Sequence, residues 1–244
     1  MIKKQLRAKS IVVFSPHMDD AVLSLGGFII RAIKRGVSVK IVTVFSCFGN
    51  DEKPPVYSKK YVYSSGYQNI SDFERGRNEE DYSAMGDLGV SFENWGYTDA
   101  GFRKGRTGWL YPNKKVLLSG KIASQDFELV GAIRKKMSKY KSEKCLVPFG
   151  GVFSNHVDHL ILREAASVLP DCGYYLEWPY LLDARLSDFV KFCFFLKKNR
   201  VKLHWSDRAG KEDILRRYVS QFPLWRYGSK WKIFPEILVS PKND

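Results

Sequence analysis

The stretch IVVFSPHMDDAVLSLGGFIIRAIKRGVSVKIVTVF (residues 11–45) sets the fold. Ile11–Phe14 is an apolar run too short for a helix and bounded by Ser15-Pro16, which reads as a buried strand. From Ala21 to Arg35 the apolar positions suit a largely buried helix. Lys34-Arg35 followed by Gly36 is its stop, with cations in the last turn and then glycine. Val37–Phe45 reads as a second strand. Strand, helix and strand in about 35 residues make a βαβ unit, whose crossover implies parallel pairing.

The same alternation continues. Residues 46–70 hold Pro-Pro, glycines, lysines and tyrosines without a sustained period and read as a long loop. A helix is expected over Ser71–Leu88, with Ser71 and Glu74 as a capping box and Gly89 closing it. Val90–Trp95 follows as a strand and residues 98–120 as a second irregular, basic excursion. Further on come a helix over Ser124–Lys139, a strand at 144–149, a helix over His156–Leu169 and a strand at 174–180. A strand Lys202–Trp205, a helix Lys211–Gln221 and an aromatic tail complete the chain. The pattern predicts α/β architecture: a three-layer, Rossmann-like, mostly parallel sheet in a single domain spanning 1–244. Its core is expected at about 10–180, with an aromatic and basic extension over about 181–244.

Composition narrows the class. In 244 residues, 44% hydrophobic content supports one packed core. The net charge of +14 favours anionic partners without choosing among nucleic acid, membrane surface and phosphorylated small molecules. Cys47, Cys145, Cys172 and Cys193 form no CxxC pair, which argues against a zinc ribbon and against a disulfide framework. No segment has the roughly 20 apolar residues of a membrane span, and no signal-peptide core follows the basic N-terminus, so a cytoplasmic location is expected.

Chemistry gathers at two expected strand exits. PHMDD (16–20) contains His17, Asp19 and Asp20, and NHVDH (155–159) contains His156, Asp158 and His159, three of the chain's four histidines. Either loop alone has an ordinary explanation, because acidic residues before a helix commonly cap it. Together, at carboxyl ends of strands in one sheet, they suit a catalytic zinc centre of three N/O ligands. His17 and Asp20 at i and i+3 can reach one point, and a histidine of the second loop would complete the set. The spacing does not say which. Asp19 is then placed to take a proton from an activated water, and the remaining histidine to protonate a leaving group or stabilise an oxyanion. Asp158 would orient a histidine. His204, in an apolar and aromatic setting, reads as structural.

These residues resemble the PIG-L/LmbE-like metal-dependent de-N-acetylases. The resemblance lies in P-H-x-D-D before a small, apolar helix with Gly-Gly and in the later H-x-D-H. RNEEDYSAMGDLGV (77–90) and GYTDAG (96–101) also fall in the family's order. It runs from about residue 10 to 180. It implies metal ligation by His17, Asp20 and His159, with zinc as the ion and iron(II) as its alternative. It further implies Asp19 as general base, and His156 as the histidine at the tetrahedral intermediate or leaving amine, with Asp158 as its orienting partner. Arg77 and Asp99 match positions that contact substrate. Ala21 stands where many members have glutamate, and Ser154 where some thiol-pathway members have a tyrosine.

The expected activity is removal of an N-acetyl group from a GlcNAc-type conjugate. An anionic substrate is anticipated, held by the lysines and arginines of the two excursions. A metal-dependent amidase or esterase acting on a non-sugar or thiol conjugate is the competing enzyme reading. A nucleic-acid binder is the third, weakened by the dispersal of its basic residues, so no nucleic acid is expected. Self-association of the chain is left open. The tail FPLWRYGSKWKIF (222–234) reads as packing or self-association first and as a cleft lining second.

Overall fold

The computed structural model describes residues 10–51, 53–151, 154–180, 188, 190, 192–194, 199–204, 207–222 and 235–241. Seven strands form one sheet in the order β3-β2-β1-β4-β5-β7-β6. The strands are β1 (Ser10–Ser15), β2 (Ser38–Cys47), β3 (Ser91–Thr98), β4 (Cys145–Pro148), β5 (Cys172–Tyr175), β6 (Asn199–His204) and β7 (Glu236–Pro241). The first five pair in parallel, and β7 runs antiparallel to both β5 and β6.

Alternation along the strands makes the layers, because successive side chains leave opposite faces. Ile11 and Val13 of β1 and Val39 and Ile41 of β2 join one core. It also holds Leu25 and Ile29 of helix α1 (Asp20–Lys34) and Leu88 of a helix at Ile70–Leu88, α3 below. Val12, Phe14, Val42 and Val44 enter the other core, with Ile133 of α5 (Asp126–Met137) and Ile161 of α6 (Val157–Ala165). Both faces of the sheet are therefore covered, as parallel sheets require.

The chain winds outward through β1, β2 and β3, then returns to place β4 on the other side of β1. The strand order thus reverses between β1 and β4, and ligands of such sheets bind in the crevice beyond the carboxyl ends at that point. The loops leaving β1 and β4 are the two that carry PHMDD and NHVDH.

Several local expectations are corrected. Residues 46–70 are not all loop, since α2 (Val56–Ser64) forms within them and buries Ser58 and Val62, four residues apart. Helix α3 (Ile70–Leu88) is capped by Asn69, whose side chain accepts from the Asp72 N–H, and Ser71 lies inside it. Glu74 forms no capping box and accepts instead from the Phe48 N–H, 2.5 Å away. Gly89 closes α3 as expected, in the left-handed conformation (φ 65°) that glycine adopts without a Cβ clash. The 98–120 excursion contains a 3-10 turn at Ala100–Phe102 and a single α-helical turn, α4 (Lys114–Leu117). The 174–180 strand ends at Tyr175, because its pairing with β4 stops there. Helix α7 (Arg208–Leu215) is shorter than expected and packs on α1. A Cβ at Gly26 would meet Lys211 of α7 at 3.0 Å, so that glycine admits the neighbouring helix. Most of the tail, Trp225 and Trp231 included, lies outside the described residues. Beyond it β7 joins the same sheet. His204 is buried edge-on against Phe28, consistent with a structural role.

Candidate active site

The turn after β1 is built by its own backbone. Phe45 donates its N–H to the Pro16 carbonyl at 2.8 Å, tying the loop to β2. Ser15 Oγ accepts from the Ala21 N–H at 2.9 Å, serving a helix-start donor that neither aspartate caps. Asp19 and Asp20 are thereby released from capping. Asp20 Oδ2 accepts from the His17 N–H at 3.0 Å and lies 2.9 Å from His17 Nδ1.

The turn after β4 is built by glycine. Gly150 has φ 51°, and a Cβ there would meet the His159 carbonyl at 3.2 Å. Its N–H donates to Glu177 Oε1 at 2.9 Å, and the same oxygen accepts from His159 Nδ1 at 3.0 Å. Glu177 keeps a proton on Nδ1, so His159 presents a lone pair on Nε2 once its second proton, held up to about pH 9, has left. That nitrogen is fully buried and 3.3 Å from Asp20 Oδ2, yet it makes no hydrogen bond. A buried ring nitrogen left without a hydrogen bond, facing a carboxylate and a second imidazole, is the donor set a divalent ion requires. His17, Asp20 and His159 bring one ligand atom each within 4.8 Å of one another, and His17, His156 and Asp158 form a second such group.

Charge in the cluster follows the same geometry. Burial works to lower the imidazole pKa values, but Asp20 and Glu177 overcome it at His159 and hold it up at about 9. Asp158 and Asp20 likewise raise His17. Burial opposes ionisation of Asp20, yet His159 and His17 keep its carboxyl well below the usual range. His156 moves the other way. Burial, with His17 next to it, keeps it neutral, and its Nδ1 accepts from the Asp158 N–H at 3.3 Å. Its remaining proton therefore sits on Nε2.

Asp158 is fully buried, and its carboxylate reaches His17 Nε2 at 3.2 Å; toward His156 it offers only its backbone N–H. Its carboxylate is therefore within hydrogen-bonding distance of His17 and makes no such bond to the His156 ring. It also accepts from the Ala100 N–H at 2.8 Å and from the Arg103 guanidinium. Arg103 continues to Asp126 at 2.6 Å, where Tyr111 also donates. Burial disfavours its charge, but Arg103 and His17 hold Asp158 ionised well below the usual carboxyl range.

Exposure separates floor from mouth. The side chains of His159 and Asp158 are 0% exposed, against 15% for His17 and 14% for both Asp19 and Asp99. Asp19 is therefore open to water beside the buried ligand group. Asp99 stands 3.3 Å from His17 Nε2, and burial raises its carboxyl. Arg77, expected at the substrate, is 2% exposed and lies 3.4 Å from Asp19 Oδ1. Ser154 Oγ faces His159 Nδ1 at 3.4 Å.

Glu177 and Tyr180 were not singled out in the sequence. Tyr180 stacks edge-on against His159, with ring centroids 5.3 Å apart. A lone glutamate inside YYLEWPY was the one available signal for this wall. Arg103 and Lys104, expected as free anion-binding cations, pair instead with Asp158 and Asp126 and with Asp51. A cavity of about 370 Å³ lies on the Arg103 side, lined among others by Tyr97, Arg106, Gln125 and Leu129. It adjoins the histidine cluster without containing it.

Fold and cluster place a side-chain group that could hold a metal ion at the switch point of an α/β sheet. The model of the PIG-L family, GlcNAc-PI de-N-acetylase, matches residues 12–169, and the chain belongs to that family. It is 27% identical over 190 residues to 2'-N-acetylparomamine deacetylase of Niallia circulans, covering 70% of this chain and 68% of that protein. The zinc-inhibited form of teicoplanin deacetylase Orf2 superposes with a TM-score of 0.75 at 19% identity, covering 96% of this chain and 99% of that one. N,N'-diacetylchitobiose deacetylase from Pyrococcus horikoshii superposes with a TM-score of 0.51 at 17% identity, covering 96% and 85%. Among the described residues no helix is long and apolar enough to cross a membrane.

Proposed function

We propose that the chain hydrolyses the N-acetyl group of an amino sugar within a larger conjugate. The single observation that carries this is the His17–Asp20–His159 group, its Asp20 and His159 buried, with the accessible Asp19 beside it. Family membership supports the amide bond, and the deacetylase names of the relatives support the sugar. Zinc, or iron(II) in its stead, would be held by His17, Asp20 and His159. Bound there, the ion supplies Lewis acidity to the amide carbonyl and lowers the pKa of the attacking water.

Asp19 takes the proton of that water as its oxygen adds to the carbonyl carbon. The Nε2–H of neutral His156 donates to the developing oxyanion. The C–N bond then breaks, the amine leaves with a proton returned from Asp19, and acetate is released. Glu177 fixes the tautomer of His159, and Asp158 holds His17, itself pinned by Arg103. With Arg103 and Lys104 paired to carboxylates, an anionic part of the substrate would rest on the exposed Arg106, Lys114 and Lys115.

The test is to incubate zinc-loaded protein with a panel of N-acetylated amino sugars and conjugates, following free amine and acetate together. Amine with stoichiometric acetate is expected. Release of a different acid would transfer the site to another amide or ester. No product from any member, with metal bound, refutes the reading.

A further inference from the structure

Helix α3 carries three buried charged residues, Arg77, Glu80 and Asp81, and its two acids reach a segment beyond the family match. Glu80 Oε1 accepts from the Ser220 N–H at 2.7 Å, and Oε2 accepts from its hydroxyl at 2.8 Å. Oε2 also lies 3.4 Å from Arg77 Nη1, and Arg77 Nη2 lies 3.4 Å from Asp19 Oδ1. A line of contacts thus runs from Ser220 through Glu80 and Arg77 to the candidate base.

The segment around Ser220 is itself pinned. Tyr218 donates to Asp81 at 2.8 Å, Tyr61 of α2 to Gln221 at 2.7 Å, and Gln221 to Ser220 Oγ at 3.1 Å. Arg77 is not held so tightly. Its contacts to Asp19 and Glu80 are long, and its Nε makes no hydrogen bond among the described residues. At 2% exposure it has little water to fall back on. The direction of the guanidinium is therefore decided by the carboxylates on either side of it.

We infer that Glu80, anchored by Ser220, is a positioning residue that holds Arg77 against one oxygen of Asp19, so that Arg77 acts on the base. This rests on the deacetylase reading above. With the charge at position 80 removed, Arg77 keeps Asp19 as its near carboxylate partner. It then closes on Asp19 and occupies the lone pairs that must receive the water proton.

The test uses E80Q and S220A as zinc-loaded full-length proteins. Steady-state deacetylation, metal content, thermal stability and the Arg77 Nε–H signal in a nitrogen-15 proton spectrum are measured. E80Q should lose on the order of tenfold in kcat with KM within about twofold and zinc retained, a fraction of what a general base contributes. S220A, which keeps the backbone N–H on Glu80, should shift kcat the same way by about twofold and stands in if E80Q fails to fold. The Arg77 signal should move in both variants. A raised KM at unchanged kcat would place Arg77 on the substrate and overturn the inference, as would loss of zinc or unaltered kinetics. If the unsubstituted protein turns over no amide, the deacetylase reading fails by itself. An unmoved Arg77 signal in E80Q then overturns the positioning role separately.

Discussion

Replacing Asp81 by asparagine should stabilise the protein at alkaline pH and not at acid pH. Asp81 is fully buried in α3, accepting from Thr43 Oγ1 at 2.9 Å and from the Tyr218 hydroxyl at 2.8 Å. Burial lifts its carboxyl from 3.8 to about 7, against the pull of those two hydrogen bonds and of Arg77. The folded state therefore binds more protons than the unfolded chain between pH about 4 and about 7. Stability falls as pH rises through that window and is flat above it. At about 1.4 kcal/mol per tenfold, the full cost of ionising Asp81 in place is at most about 4 kcal/mol. Asparagine keeps the shape and can accept from one hydroxyl and donate to the other, and losing a charge-assisted bond returns roughly 1–2 kcal/mol. A net gain of about 2 kcal/mol at pH 8 corresponds to roughly 5 °C in Tm for a chain of this length. Thermal unfolding of metal-free Asp81→Asn and unsubstituted protein at pH 4.5 and pH 8, followed by circular dichroism, reads this directly. The gain should vanish at pH 4.5, where the native carboxyl is already neutral. An equal Tm difference at both pH values, or a less stable variant at pH 8, refutes the reasoning.

Asp20→Ala should lose bound metal, whereas Asp19→Ala should keep it and lose at least about 100-fold in kcat; full activity of Asp19→Ala rules out its role as base. Glu177→Gln removes the carboxylate that fixes the proton on His159 Nδ1. It should weaken zinc binding about 10- to 100-fold in a chelator competition, and an unchanged affinity excludes that partnership. Zinc added to metal-free protein at pH 7 should displace about two protons per ion, since His17 and His159 are both held above their ordinary value. Calorimetry in buffers of different ionisation enthalpy counts them, and a count near zero would show the ligand set to be different.

The centre of the fold was legible because its physics is local. Ile11–Phe14, the helix after it and Val37–Phe45 each announce themselves by apolar period and a glycine stop, and all three elements form. Helix α2 escaped notice because VYSKKYVYS has almost no apolar stripe. Its buried residues are a serine and a valine that pack only once the 98–103 turn lies over them, Ser58 donating to the Gly101 carbonyl. β7 was missed because EILVSP is short and finds its partners, β5 and β6, far away in sequence. The Asn69 cap lost to Ser71 in the reading through a two-residue shift, the usual uncertainty of helix ends.

The site was legible to the extent that its chemistry is crowded. His17, Asp19 and Asp20 share four positions, and His156, Asp158 and His159 share another four, so two strings held most of it. Single residues that enter from elsewhere were not legible. Nothing near Glu177 in sequence says that it will face His159, and Arg103 looks like one more surface cation until Asp158 and Asp126 close on it. Arg77 shows the limit of resemblance as well, since the motif gives the residue but not the burial that turns it toward Asp19.

The strand order explains why such distant strings meet. β1 and β4 are neighbours only because the chain reverses its direction of winding between them, so their exit loops face each other across one crevice. Each loop supplies part of the ligand set, and neither can complete it. A metal ion held there would join the two halves of the sheet, while Asp158 carries the junction onward through Arg103 to Asp126 at the start of α5. The 98–103 turn is drawn into the wall by the same arginine, through the Thr98 carbonyl. Residues that hold the ion and residues that shape the mouth are thus mechanically linked. Changes in the 98–120 excursion are therefore expected to alter substrate preference and metal affinity together, whereas changes in the more distant α5 surface should alter neither.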